Sequence, residues 1–340
     1  SSGARIGPTD ILGRIFEKAF YCRFSTILIW IGSFWIAFIL YLFLFSVIID
    51  IIRFSNHYLN YLPKIMFKNP QMTKYVIFSV VMSVSGLIIL LGYLNADSVK
   101  IKKINLYSDK TSNIKQLKIV AASDIHAGII MDSKRIKKFV NEINKLNPDI
   151  VLFAGDVVDE DIEPVIKDNI GDEFKNIKSK YGVFAITGNH EYIGGADKSI
   201  EYLEKYNINY LRDESVTIEN ITIIGREDKE KPRFTKIERK NLKELVDSVN
   251  KDNYLILMNH QPFNLYESVE NNIDLQLSGH THHGQMFPLN FITGLLYEVS
   301  WGYKQINNTH FYVSSGYGTW GPPVKTSSYS EIVEITLNFK

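Results

Sequence analysis

The chain has 340 residues, long enough for one large domain and an appendage. Its formal net charge of +1 gives no bulk electrostatic case for nucleic acid, and the lone cysteine, Cys22, excludes an intrachain disulfide and a cysteine-built zinc site. The mean hydropathy is close to zero only because two unlike regions average out.

Residues 1–23 read as a juxtamembrane segment. Within it, Arg14, Glu17 and Lys18 alternate with Ile11, Leu12, Ile15, Phe16 and Phe20, a spacing that suits an amphipathic helix lying on a membrane surface. From Phe24 the chain is almost continuously apolar, with Asp50 the first charge and Arg53 a turn later. A first transmembrane helix is therefore expected at 24–54, with Asp50 near its interfacial end. A polar loop at 55–74 carries Lys64, Lys68 and Lys74, with Pro63 and Pro70 as breakers, and an uncharged second span follows at 75–94. No small-residue cleavage site marks the first run as a signal peptide. The expectation is a cell-membrane protein with at least two spans. Basic residues such as Arg5, Arg14, Lys100 and Lys102 flank the side bearing the large domain, which leans it toward the cytoplasm.

Residues 98–340 have the mixed composition of a folded domain. Strands are expected at 100–107, 116–123, 151–154, 181–187, 216–218, 221–225, 254–258, 273–277, 310–314 and 331–337. Helices are expected from about Ser133, which can cap it, through Leu146, and at 163–180, 198–206 and 236–250. Polar blocks stand at the ends of five of the apolar strands: Asp124/His126, Asp156/Asp159, Asn189/His190, His260 and His280/His282. Five of the eight histidines fall in them. Scattered core histidines would not all follow strands. In open α/β sheets ligands gather at the strands' carboxyl ends. Imidazole with carboxylate suits Zn, Mn, Fe or Ni, and the oxygen donors leave room for Mg. Three carboxylates or amides plus four imidazoles exceed one tetrahedral ion and suit two ions sharing a ligand. Extended backbone would aim both members of the Asp124/His126 and His280/His282 pairs the same way.

The ordered blocks D-x-H, G-D-x-x-D, G-N-H-E, a lone His after a strand, and G-H-x-H resemble the calcineurin-like metallophosphoesterases, over the whole of the soluble region. The later GHTHHGQMFP and GYGTWGPPVK are similar to their membrane-associated bacterial branch. That branch usually has glycine where His283 stands and often arginine where Lys325 stands. The resemblance implies a four-layer αββα sandwich, here preceded by a transmembrane α-helical hairpin. It implies two divalent ions: Mn, Fe, Zn or Mg, with Mn favoured. Asp124, His126, Asp156 and His282 would hold one ion. Asp156 would bridge to the second, held also by Asn189, His260 and His280. His190 would protonate the leaving oxygen, with Asp159 accepting its other ring N–H. A hydroxide shared by the ions would attack phosphorus in line.

The reading is an enzyme, a membrane-anchored phosphoesterase or pyrophosphatase acting at the bilayer on a lipid or lipid-linked substrate, with no nucleic acid and no evident protein partner. The alternatives are a catalytically silent metal-binding scaffold and a membrane sensor on the same fold. Residues 287–301 are either a core segment with an internal helix or an apolar wall for acyl chains; Glu191 reads as structural and His283 as a solvated rim residue.

Overall fold

The computed structural model describes residues 23–340, so the expected surface helix at 11–20 and Cys22 lie outside the described residues. The first compact unit contains α1 (Arg23–Leu59), the single turn α2 (Ile65–Lys68) and α3 (Pro70–Asp97), together with Gly321–Thr326. Helix α3 begins at Pro70, ahead of the expected start. Proline suits a first turn, and the Asn69 side chain accepts the Met72 N–H at 3.1 Å. The helices meet through Trp30 and Phe34 against Tyr93, and leave Ile31, Trp35, Phe43, Phe78, Leu87 and Leu91 exposed. Two helices of this length with apolar outer faces are compatible with membrane spans. Gly321–Thr326 is tied to them by Lys325 N–H donating to Gly92 O (3.0 Å) and Asn95 Nδ2 donating to Lys325 O (2.9 Å). Lys325 is fully buried, so it is not a solvent-facing charge.

The second unit contains all twelve described strands. In chain order they are β1 (Val99–Ser108), β2 (Gln116–Ala122), β3 (Ile150–Phe153), β4 (Val183–Ala185), β5 (Ile208–Tyr210) and β6 (Glu214–Ile218), then β7 (Ile221–Gly225), β8 (Tyr254–Met258), β9 (Leu275–Ser278), β10 (Gly302–Ile306), β11 (Thr309–Val313) and β12 (Ser330–Phe339). They form two six-stranded mixed sheets, ordered β1-β12-β2-β3-β4-β5 and β10-β11-β9-β8-β7-β6. The strands carrying the polar blocks, β2-β3-β4 and β8-β9, are parallel neighbours within their sheets.

Strand alternation divides the core. Ile119, Leu152 and Ile335 of one sheet pack against Ile223, Ile256 and Leu277 of the other. Val120, Val151 and Phe153 face outward onto Ile136, Phe139 and Ile143 of α4 (Ser133–Lys145). Further along that layer lie α5 (Glu163–Lys167), α6 (Gly171–Phe174), α7 (Asn189–Gly194) and α8 (Ala196–Glu204). Beyond the other sheet, Ile224, Leu255 and Leu257 are covered by Leu242, Leu245 and Val246. The result is the αββα sandwich expected from the resemblance.

Local differences have local causes. Asp132, not Ser133, caps α4, accepting the Arg135 N–H. The expected 163–180 helix breaks at Asn169, which adopts a positive φ of 50°. The expected 236–250 helix shrinks to α10 (Leu242–Asp247), preceded by α9 (Lys231–Thr235), because Lys236 is left-handed between them. Strands β5 and β10 were not anticipated. The loops also carry α11 (Tyr266–Glu270) and α12 (Leu289–Leu296). Helix α12 is the internal helix of 287–301, but it is no core segment: it buries no residue, and Phe291, Ile292, Leu295 and Leu296 are exposed.

Candidate active site

Asp124 follows β2, Asp156 follows β3, Asn189 follows β4, His260 follows β8 and His280 follows β9. All five loops leave carboxyl ends. The loops after β2 and β3 are laced by backbone bonds from Asp124 N–H to Gly155 O and from Ile125 and His126 N–H to Asp156 O. Those after β8 and β9 are joined by Gly279 N–H to His260 O. The residues are not extended as the period-two argument supposed: Asp124, His126, Asp156, His280 and His282 all have φ between 45° and 71°. Such left-handed backbone is costly for non-glycine residues and persists where surroundings over-determine it. Two glycines make the crowding possible. A Cβ on Gly188 would overlap the Asp156 carboxylate, and one on Gly279 would overlap the Asp124 carboxylate.

The side chains converge in two groups. In the first, His126 Nε2 lies 3.1 Å from His282 Nε2, and His282 Nε2 lies 3.5 Å from Asp124 Oδ1. In the second, His260 Nε2 lies 3.1 Å from Asp156 Oδ2 and 3.3 Å from Asn189 Oδ1, while His280 Nδ1 lies 2.8 Å from that same amide oxygen. Asp156 Oδ2 is 4.0 Å from His126 Nε2, so its carboxylate faces both groups. The Asp124/His126/His282 and Asp156/His260/His280 clusters are each compact enough to hold an ion. Their facing donors stand at separations that adjacent ligands of one cation keep. His260 donates Nδ1–H to Ala154 O at 2.7 Å, which turns Nε2 inward as the nitrogen that could ligate an ion. The donor set therefore fits two divalent ions.

His190 borders both groups, its backbone N–H donating to Asp156 Oδ1 at 2.9 Å. Its Nδ1 is 3.0 Å from Asp159 Oδ1, and its ring is edge-on to His126 at 4.5 Å. Asp159 also approaches His126 Nδ1 at 3.7 Å, which gives a third compact cluster, His126/Asp159/His190. Asp159 is not a helix cap; Asp161 accepts the Glu163 N–H instead. His283 is half-buried, its Nδ1 3.0 Å from Ser300 Oγ and its ring against Trp301.

Electrostatics express the crowding. Burial would raise Asp156, but imidazoles of His260 and His190 hold it well below the usual carboxylate range. Asp124 is raised, chiefly by burial, with Asp156 adding to it. Burial alone would lower His190, yet Asp156 and Asp159 outweigh it and raise the imidazole to about 9. Burial and the charge on His260 push neighbouring His280 down to about 3, since two adjacent imidazoliums cannot both be charged.

Glu191 does more than its sequence position suggested. It is fully buried. Its Oε1 accepts N–H groups from Val157 (2.6 Å) and Val158 (3.1 Å); its Oε2 accepts those of Gly188 (2.7 Å) and Asp156 (3.1 Å). One carboxylate thus clamps the loops after β3 and β4. Also missed were Lys229, Arg233, Phe234 and Phe263, which line a cavity bordering Asn189 and His280. Lys229 lies just past β7, so the strand-end rule that found the histidines would have pointed there too.

Residues 117–284, which hold every donor above, match the calcineurin-like phosphoesterase family. An uncharacterized metallophosphoesterase of Aquifex aeolicus is 31% identical over 258 residues, 74% of this chain and 98% of that one. The chain is a calcineurin-like metallophosphoesterase. A Helicobacter pylori relative, also an uncharacterized metallophosphoesterase, is 35% identical over 244 residues; the match covers 70% of this phosphoesterase and 64% of that protein. A bovine transmembrane protein with metallophosphoesterase domain is 31% identical over 241 residues, 66% of this phosphoesterase and 54% of the bovine chain.

Proposed function

We propose that this phosphoesterase is membrane-anchored and hydrolyses a phosphoester or pyrophosphate bond of a lipid or lipid-linked substrate, using two divalent ions. Asp124, His126, His282 and Asp156 would hold one ion, and Asp156, Asn189, His260 and His280 the other. When bound, the pair supplies Lewis acidity toward phosphoryl oxygens and a water of lowered pKa. Nitrogen and oxygen donors together suit Mn, Fe, Zn or Mg, with Mn the first to test. His190 holds a proton for the departing oxygen, and Asp159, bonded to its Nδ1, fixes which ring nitrogen faces the substrate. Neutral Asn189 adds a donor without adding negative charge, which keeps the centre attractive to an anionic substrate.

The convergence of seven donors from five strand ends carries the hydrolase reading. The ordered His190–Asp159 pair favours it over a silent scaffold, which needs no proton donor. The lipid reading rests on two features: long apolar helices, and the exposed face of α12, which packs directly after the turn bearing His282. Full-length protein in detergent with Mn should hydrolyse p-nitrophenyl phosphate or its bis-ester, and Asp156→Ala should abolish turnover. Given phospholipid and lipid-linked phosphoesters in mixed micelles, it should prefer them to soluble esters; activity confined to soluble esters would remove the lipid assignment.

A further inference from the structure

Beside the second donor group opens a cavity of about 280 Å³. Asn189 and His280 are part of its lining. The lining also includes Lys229, Glu230 and Arg233 with two aromatic rings, Phe234 and Phe263. The Lys229 ammonium sits 3.6 Å from the centre of the Phe263 ring, and that ring packs on Tyr297 at 4.7 Å. The Arg233 guanidinium lies 5.7 Å from the centre of Phe234. Glu230 pairs with Arg233 at 3.3 Å and offsets part of its charge. Among the described residues no carboxylate forms an ion pair with Lys229, so the cavity keeps an excess positive charge beside a centre that itself gathers cations.

A neutral or purely aromatic group could stack on the rings, but it would leave that charge uncompensated. An anion would meet it with charge-assisted hydrogen bonds. The cation–π contact of the Lys229 ammonium with Phe263 favours one placement of that charge, which reduces the ordering cost of binding. Since the cavity shares Asn189 and His280 with the reacting centre, an anion within it would lie beside the phosphoryl group being cleaved, where a second phosphate of the same molecule would stand.

We propose that this cavity is a second phosphate subsite, and that the substrate is a diphosphate ester cleaved at its P–O–P bridge. The assignment rests on the hydrolase reading above. In the reaction the water oxygen bonds to one phosphorus and the bridging P–O bond breaks. The bridging oxygen keeps the electron pair and takes up the proton that His190 holds, and the second phosphate leaves from Lys229 and Arg233. The water's proton passes to solvent, and two phosphomonoesters result.

The test uses full-length protein in detergent micelles with Mn, comparing bis(p-nitrophenyl) phosphate with two diphosphate diesters. One is soluble, UDP-glucose; the other is lipid-borne, CDP-diacylglycerol. Wild type should favour at least one diphosphate, and which one identifies the source of the group. In Lys229→Met/Arg233→Met, whose altered side chains are exposed, the ratio of kcat/KM for that diphosphate to kcat/KM for the bis-ester should fall about tenfold or more. Affinity for a non-hydrolysable α,β-methylene diphosphate ester, measured without turnover, should fall by a similar factor. An unchanged ratio and unchanged analogue affinity would overturn the subsite even if bis-ester hydrolysis persists. Loss of analogue affinity in a protein that hydrolyses nothing would instead keep the subsite and refute the hydrolase.

Discussion

At the scale of single residues, His190 and Glu191 are adjacent in sequence and opposite in role. His190 presents a ring oriented by Asp159, whereas Glu191 points inward to hold backbone. If His190 delivers a proton to the leaving oxygen, its removal matters most when that oxygen is basic. His190→Gln should slow hydrolysis of alkyl phosphoesters by about 10²–10⁴-fold, and of p-nitrophenyl esters, whose leaving group needs no proton, far less. Equal losses on both would make it a phosphate-binding imidazole only. Glu191→Gln is the sharper structural test. Each carboxylate oxygen receives two N–H groups, so an amide must turn its own NH2 toward a pair of donors. We expect a loss of about 2 kcal/mol or more in unfolding free energy, read by denaturant titration, with weakened ion binding because Asp156 and Gly188 lose their anchor. The histidines and aspartates themselves were legible as an ordered pattern. Their left-handed backbone was not, because strain at Asp124 or His280 comes from neighbours far along the chain, such as Gly155 and Asp124 respectively.

Among the elements, β-strands with continuous apolar runs were the easiest to find: β3 and β8 are buried throughout and carry no competing signal. Short helices were harder. Helical spacing of Val165, Ile166, Ile170 and Phe174 suggests one long helix, but apolar residues on two short turns separated by a left-handed Asn169 satisfy the same spacing. Strand β10 alternates half-buried and exposed residues at a sheet edge, which leaves little apolar signal to read. Helix α12 shows the limit of composition alone. FITGLL looks like core, yet nothing in its own domain covers it. Replacing Phe291 and Leu295 by Asp removes apolar area from an already exposed face, so the domain should keep its melting temperature within a degree or two. Turnover of lipid substrate in vesicles should fall several-fold, while p-nitrophenyl phosphate hydrolysis stays within about twofold. Parallel losses on both substrates would remove α12 from any role at the bilayer.

For the whole molecule, ions held by the candidate donors would tie the two sheets together, since Asp124, Asp156 and Asn189 follow strands of one and His260 and His280 follow strands of the other. Ions that bind only the folded form stabilise it by about 4 kcal/mol at a thousandfold excess over Kd. Chelation should therefore lower the melting temperature by on the order of 10 °C for a domain of this size. The pH dependence has a definite sign. In the ion-free chain His260 stands well above its ordinary 6.5, despite burial, because Asp156 and then Asp124 favour its charged form. Its stabilising contribution to that ion-free fold is complete below about pH 6.5 and is lost as pH rises through the elevated pKa. Ion binding requires the proton to leave, so loading works in the opposite direction and weakens as pH falls. Thermal melts with and without chelator should converge between about pH 8 and about pH 6; a gap that widens toward acid would contradict the ligand role of His260.

The position of β12 has a consequence for biosynthesis. It lies between β1 and β2, running parallel to the first and antiparallel to the second, and β1 has no other strand partner. Residues 330–339 leave the ribosome after the other described strands, so β1, the first of them, must wait for the last before it has a partner. Until then β2, the strand that carries Asp124, exposes one unpaired edge. A nascent chain stalled before Ser330 would thus hold all five donor loops, while β1 and that edge of β2 still lacked a partner.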